Sequence, residues 1–200
     1  MNETTMGGYS LSRLSQFTKP LGGRVRTVRS MSDTTSPELT AAADGKHTTS
    51  GIPHGFTSLT PFLAIPSAKE AITFYQDVFG ARTVNATEIG GMVVHAELDF
   101  GQGRLQIGEP NPDYHLVPAP NGEDDCYSVG FYCADADALV ARAERAGATI
   151  REPLSTFVSG DRFASIRDPY GVRWSIMTRV EDLSEEESTQ RVADWAAKQS

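Results

Sequence analysis

The feature that most restricts what this chain can fold into is an internal repeat. The helix-ending pair Gly80-Ala81 returns as Gly147-Ala148, 67 residues later, and the glycine opening a terminal strand at Gly103 returns as Gly171, 68 residues later. In the first copy SLTPFLAI (58–65) reads as a strand. Ser67-Ala-Lys-Glu70 then predicts a capping box for a helix to about Phe79, where Ala71, Ile72, Tyr75, Val78 and Phe79 follow helical spacing. Strands are expected at about 82–88, 92–100 and 103–108, separated by glycine turns. The second copy gives a strand at 126–133, a helix at 136–146, and strands at 148–151, 162–167 and 172–178. Matching offsets predict a duplicated βαβββ unit, hence an α+β fold. Asp168-Pro169-Tyr170-Gly171 fits a type I turn within a hairpin. Ser184-Glu-Glu-Glu187 is a second capping box, opening a tail helix to about Lys198 whose stripe of Val192, Trp195 and Ala196 should dock on the body or on a second subunit.

A length of 200 residues with 39% apolar composition suits one domain with a sizeable core. The expected divisions are a basic extension and linker over 1–55, a folded domain over 56–183 with modules at about 57–110 and 125–180, and a helix over 184–200. No run approaches the roughly 20 apolar residues of a membrane-spanning helix, and a cytoplasmic protein is expected. Cys126 and Cys133 lie seven positions apart; at about 3.3 Å per residue on one strand they are too distant to bridge, so both should be free thiols. The net charge of −8 conceals an asymmetry, because residues 1–30 hold five basic residues against Glu3 alone and leave 13 basic against 25 acidic residues elsewhere. An acidic body lacks the clustered Lys and Arg that release counterions from phosphates, which argues against nucleic acid as a partner. The first 30 residues read either as an Arg-rich transit segment or as a flexible extension, with Met31 a natural start.

The stretches PFLAIPSAKEAITFYQDVFGA, VVHAELDFGQGRLQIGEPNP and GDRFASIRDPYGVRWSIMTRVEDL, in this order, resemble the vicinal-oxygen-chelate superfamily of glyoxalase, bleomycin-resistance and dioxygenase proteins, particularly its PhnB-like branch. The resemblance covers about 57–183. It implies two βαβββ modules forming an open eight-stranded barrel around a cavity, and a homodimer. In metal-dependent relatives the first and last strands of each module supply ligands. Here those positions fall on Thr60, Gln106, Ser128 and Ser175. One amide and three hydroxyls bring no anion to a divalent ion, so neither a metal nor another cofactor is expected.

Strand alternation places Phe62 on the row of Thr60, Tyr132 on that of Ser128, and Arg173 and Met177 on that of Ser175. The third strand's apolar row reads as Val94, Ala96, Leu98 and Phe100, which turns His95, Glu97 and Asp99 to the cavity. His95, with Glu97 to orient it or stabilise its cation, is the candidate for proton transfer; the plainer reading is a rim histidine. Tyr132 and Arg173 could contact an anionic or carbonyl group, with Phe62 and Met177 against an apolar ring, although Arg173 could simply cap the rim. Asp161 and Arg162 could act in the site or, as the plainer reading, form a structural ion pair, and Tyr114 and His115 read as linker residues that could close over the opening. No GxSxG, P-loop or GxGxxG pattern is present. The leading expectation is a protein that binds a small, partly aromatic molecule without metal, as in resistance by sequestration. The alternatives are a cofactor-free lyase or isomerase using His95 and, third, a metal-dependent glyoxalase-type enzyme.

Overall fold

The repeat seen in the sequence sets the strand order of both sheets. The computed structural model describes residues 41–199, so Met31 and the basic extension lie outside the described residues. A short hairpin, β1 (Thr48–Thr49) and β2 (Ile52–Pro53), leads in. The first module follows as β3 (Phe62–Ala64), α1 (Ala68–Phe79), β4 (Arg82–Ile89), β5 (Met92–Asp99) and β6 (Arg104–Gly108). The second comprises β7 (Ser128–Tyr132), α2 (Ala136–Arg145), β8 (Thr149–Thr156), β9 (Asp161–Arg167) and β10 (Arg173–Arg179); α3 (Glu185–Ala197) closes the chain. Each module makes a four-stranded sheet, ordered β3-β6-β5-β4 and β7-β10-β9-β8. In both, the first strand runs parallel to the last, and the remaining pairs are antiparallel hairpins. No described helix is long and apolar enough to cross a membrane.

Local chemistry explains where the elements start and stop, and where two expectations fail. Strand β3 is only three residues long: Thr60 stands before it, and Pro61, which has no N–H to give, meets β6 only through its carbonyl, which accepts from the Gln106 N–H at 2.9 Å. Ser67 does not cap α1: it takes a left-handed conformation (φ 58°) and its side chain makes no cap bond. Glu109, just past β6, accepts from the backbone N–H groups of Ser67 and Ala68 at 3.2 and 2.8 Å, placing a carboxylate at the positive end of the helix dipole. At Ser184 the extended backbone permits the expected capping box with Glu187. Helix α3 is held to the body by Trp195, whose ring meets Phe157 edge-on at 5.1 Å, and by a bond from Ser188 Oγ to the Ser159 carbonyl at 3.0 Å. The turn after β9 is built as its sequence predicts, with Gly171 at φ 89° where a side chain would be strained. Both cysteines are free.

The buried rows of the two sheets converge on one core. Leu63, Ile65, Leu98, Leu105 and Ile107 of the first sheet and Ala164, Ile166, Trp174 and Ile176 of the second share a single cluster with the apolar faces of α1 and α2. Aromatic rings join the modules: Phe79 lies 4.4 Å from Trp174 and 5.3 Å from Phe131, Phe100 lies 5.8 Å from Phe131 and 6.0 Å from Trp174, and Tyr75 and Phe74 meet Trp174 and Tyr170 at 5.4 and 5.9 Å. On β5 it is Val93, 2% exposed, rather than Val94 that joins the core, because a register shift between Thr87 and Glu88 displaces the alternation there.

At the centre of this core is a carboxylate. Asp168 Oδ2 accepts from Tyr75 Oη of α1 at 2.8 Å and from Trp174 Nε1 at 2.9 Å, while Oδ1 accepts from the backbone N–H groups of Tyr170 and Val172, both at 2.9 Å. Burial pushes the Asp168 carboxyl above its ordinary range against the pull of these donors, and burial beside Asp168 pushes the Tyr75 phenol well above its own, keeping it a donor. Asp168→Ala, which orphans four donors, is expected to cost at least about 3 kcal/mol in urea unfolding. Tyr75→Phe alone should cost roughly 1–3 kcal/mol, and much less in the Asp168→Ala background, a non-additivity that a double-mutant cycle reads directly.

Candidate functional site

Because both sheets turn their apolar rows into one shared core, their other faces point outward, away from it. The candidate residues therefore divide into two groups within a single chain: Phe62, His95, Glu97 and Gln106 on the first sheet, and Ser128, Tyr132, Arg173, Ser175 and Met177 on the second.

On the first face, Phe62, Gln106, Glu97 and Asn85 lie side by side across four strands. Thr60 precedes the strand, its hydroxyl 3.4 Å from the Thr57 carbonyl. The His95 ring stacks on Phe62 with centroids 6.1 Å apart and planes inclined by 30°. Glu97 is buried, and both of its oxygens are engaged: Oε1 pairs with Arg104, and Oε2 accepts from Asn85 Nδ2 at 3.0 Å. No hydrogen bond joins Glu97 to His95 among the described residues. Phe56 covers Arg104, with the guanidinium carbon 4.1 Å from the ring centroid. A Cβ at Gly55 would stand 2.5 Å from Arg104 Nη2, so the guanidinium would have to shift to admit one, and the backbone there, at φ 88°, favours glycine.

On the second face the Ser128 and Ser175 hydroxyls meet at 2.8 Å. Arg173 donates from Nε to Ser165 Oγ at 2.8 Å and from Nη2 to Glu152 at 2.5 Å. Met177 lies in register between Tyr132 and Phe163, giving an apolar band four residues along β10 from Arg173. Beyond it, burial alone would raise the Asp161 carboxyl, but donation from Arg179, Ser159 and Tyr132 holds it below the usual carboxylate range. Asp161 and Arg162 do not pair with each other: Asp161 binds Arg179 at 2.8 Å and Arg162 binds Asp137 at 2.6 Å. Tyr114 ends a 3-10 turn (Pro112–Tyr114) capped by His115, and Tyr114 is largely exposed.

The donor set of Thr60, Gln106, Ser128 and Ser175 does not fit a divalent ion. Ser128 and Ser175 satisfy each other, Thr60 bonds locally, and the nearest carboxylate to Gln106, Glu97, is neutralised by Arg104. No group of three or more His, Cys, Asp or Glu is gathered for a metal among the described residues.

A cleft of 940 Å³ runs between the modules, from Pro61 and the β5–β6 turn to the free edge of β7. It touches Tyr132 but none of Gln106, Ser128 or Ser175. It is lined by β7, which is an edge strand among the described residues, by apolar residues such as Phe100, Phe131 and Trp174, and by the polar residues Gln102, Arg104, Thr178 and Arg179. Sequence reasoning missed the arginines that complete each face, Arg104 on the first and Arg151 and Arg167 on the second. Period-two alternation from Gln106 to Arg104 offered a signal for one; the linker residue that gathers the others, Asp125, had none.

Residues 46–176 match the family model described as the Glyoxalase/Bleomycin resistance protein/Dioxygenase superfamily. Among curated proteins, the uncharacterized protein Mb0911c of Mycobacterium bovis (strain ATCC BAA-935 / AF2122/97) is 28% identical over 140 residues, covering 65% of this chain and 88% of its own length. Among solved structures, TioX from Micromonospora sp. ML1 is similar with a TM-score of 0.51 and 28% identity, over 62% of this chain and 98% of that one. The PhnB protein from Bacillus cereus shares the fold, with a TM-score of 0.50 and 20% identity over 61% of this chain and 99% of that one.

The pairing of Glu97 with Arg104 predicts a structural outcome for substitutions there. Arg104→Ala strands a buried carboxylate and should destabilise the fold by about 3–5 kcal/mol, measured by urea unfolding. Adding Glu97→Gln to that variant should recover much of the loss, because the uncompensated charge is then gone.

Proposed function

Since this chain belongs to the Glyoxalase/Bleomycin resistance protein/Dioxygenase superfamily, we propose that it binds a small, partly aromatic molecule without a metal, in a cavity that two copies complete, and that it acts by holding the molecule rather than by converting it. The observation that carries this reading is the chemistry of the outward faces. Thr60, Gln106, Ser128 and Ser175 supply neutral polar groups where metal ligands would stand, and Phe62, Met177 and Phe163 supply apolar surface beside them. A few placed polar groups on a mostly apolar lining are what a small-molecule site needs. Each face is only half of an enclosure. A second copy setting its first-module face over the second-module face of this chain would close it, and the cleft beside the unpaired edge of β7 is where a strand of that copy would lie. Resistance through sequestration is the role such binding would serve in the cytoplasm.

A second reading, a cofactor-free lyase or isomerase, rests on His95, whose partly buried ring stands on the first face against Phe62. The two readings part on measurable grounds. Under the binding reading, native mass spectrometry of the full chain shows a dimer carrying an organic molecule, retention of that molecule is unaffected by EDTA, and His95→Ala weakens it modestly. A stoichiometric divalent ion in the purified protein, lost together with the organic molecule on chelation, contradicts it. Under the lyase or isomerase reading His95→Ala lowers turnover of the identified molecule by about 10²- to 10⁴-fold.

A further inference from the structure

Three arginines converge at one end of the second module's outward face. Arg167 on β9 and Arg173 on β10 are register partners, and Arg151 stands at the irregularity in β8 between Ile150 and Glu152. Their common partner is Asp125 of the linker, a carboxylate with 7% of its side chain exposed. It lies 3.4 Å from Arg167 Nε, 3.5 Å from Arg173 Nη1 and 3.9 Å from Arg151 Nε. Those separations exceed the roughly 2.7–2.9 Å of a well-formed guanidinium–carboxylate bond. Among the described residues, Asp125 Oδ1 and Arg151 Nε are buried and complete no hydrogen bond. One carboxylate placed among three five-donor forks fits none of them closely.

The remaining partners are exchangeable. Arg151 pairs with Glu123, whose side chain is 86% exposed, and Arg173 with Glu152, 53% exposed, so both carboxylates can return to water at little cost. Anchoring of the linker accounts for Arg167, which donates to the Pro120 and Gly122 carbonyls, and partly for Arg151, which reaches the Glu123 carbonyl at 3.3 Å. It does not account for Arg173, which bonds no linker backbone atom: its partners are Ser165, Glu152 and Asp125.

We propose that Arg151, Arg167 and Arg173 form an oxyanion-recognising end of the ligand face, in which Asp125 takes the place of the phosphate or carboxylate of an incoming molecule. This rests on the reading that the second module's outward face binds ligand, and it specifies the class: a small molecule with one oxyanion and an apolar body. The oxyanion sits at Arg173. The body crosses the hydroxyls of Ser128 and Ser175 and reaches Met177, about 13 Å along β10 at ~3.3 Å per residue. Guanidinium forks suit either oxyanion geometry, and Asp125 competes with both.

The test is calorimetric titration of the full chain with phenyl phosphate, with benzoate and with neutral benzamide, repeated on Asp125→Asn, which removes the competing charge at nearly constant shape. The expected result is that at least one anionic probe binds tenfold or more tighter than benzamide, and that Asp125→Asn tightens it several-fold while leaving benzamide unchanged. Preference between phenyl phosphate and benzoate identifies the oxyanion. Should Asp125→Asn lose its near-ultraviolet tryptophan signal, Glu152→Gln, which frees Arg173 from an exposed partner, supplies the same comparison. Anion affinity that is unchanged or weaker once the competing carboxylate is gone overturns the proposal and makes the triad a clamp for the linker. Binding of the longer neutral probe biphenyl-4-carboxamide that Met177→Ala weakens, with no preference for biphenyl-4-carboxylate over it, also overturns the proposal but leaves the ligand face in place; a preference for biphenyl-4-carboxylate, whose body is long enough to reach Met177, that Met177→Ala does not touch counts against the ligand face itself.

Discussion

The structure depends on the burial of one carboxylate. Asp168 stands at the corner between β9 and β10 and binds, through its two oxygens, a phenol from the first module, an indole from the second and two backbone amides of its own turn. An ionisable group so placed is costly unless every lone pair is met, and here all four donors are aimed at it. Its bond to Tyr75 fixes α1 against β10, which in turn seats Phe79 and Phe100 on Trp174 and Phe131. The modules thus join through the faces that carry their helices. That choice of joining surface decides everything about the site, because it leaves both opposite faces turned outward.

The two outward faces resolve their charges differently. On the first, Arg104 and Glu97 neutralise each other below Phe56 and beside Asn85, a paired arrangement in which removal of either partner exposes the cost of the other. On the second, three guanidinium groups share one ill-fitting buried carboxylate and two solvated ones. Each face leaves a buried polar atom without a hydrogen bond among the described residues, Arg104 Nε on the first and Asp125 Oδ1 and Arg151 Nε on the second, but only the second shares one carboxylate among three guanidinium groups. Between the arginines and Asp161 the second face grades from cationic at Arg173 through the Ser128 and Ser175 hydroxyls to the apolar Met177.

Much of this was legible in the residues alone. The repeat at 67–68 positions, the strand and helix order, the Asp168–Gly171 turn, the Ser184 capping box and most apolar rows followed from periodicity and local chemistry. The absence of charge at Thr60, Gln106, Ser128 and Ser175 was likewise readable, since residue type alone determines what a position can donate to a metal. The failures were those in which a distant group overrode a local signal. Ser67 has the spacing of a cap, yet Glu109, 42 residues on, performs the task. Val94 has the parity of a core residue, yet a register shift in the pairing with β4 gives the place to Val93. Glu97 is placed well to assist His95, yet Arg104 and Asn85 hold it.

The sequence by itself determined the repeated units, their internal order and the neutral character of Thr60, Gln106, Ser128 and Ser175, because these depend on period, turn chemistry and residue type, all of which act over a few residues. Only the tertiary structure decided how the two modules meet, that Thr60 falls outside the strand its neighbours form, and that Asp125 draws Arg151, Arg167 and Arg173 together. Those outcomes depend on which surfaces lose water to each other and on where charges tens of residues apart come to rest, and no local pattern encodes either.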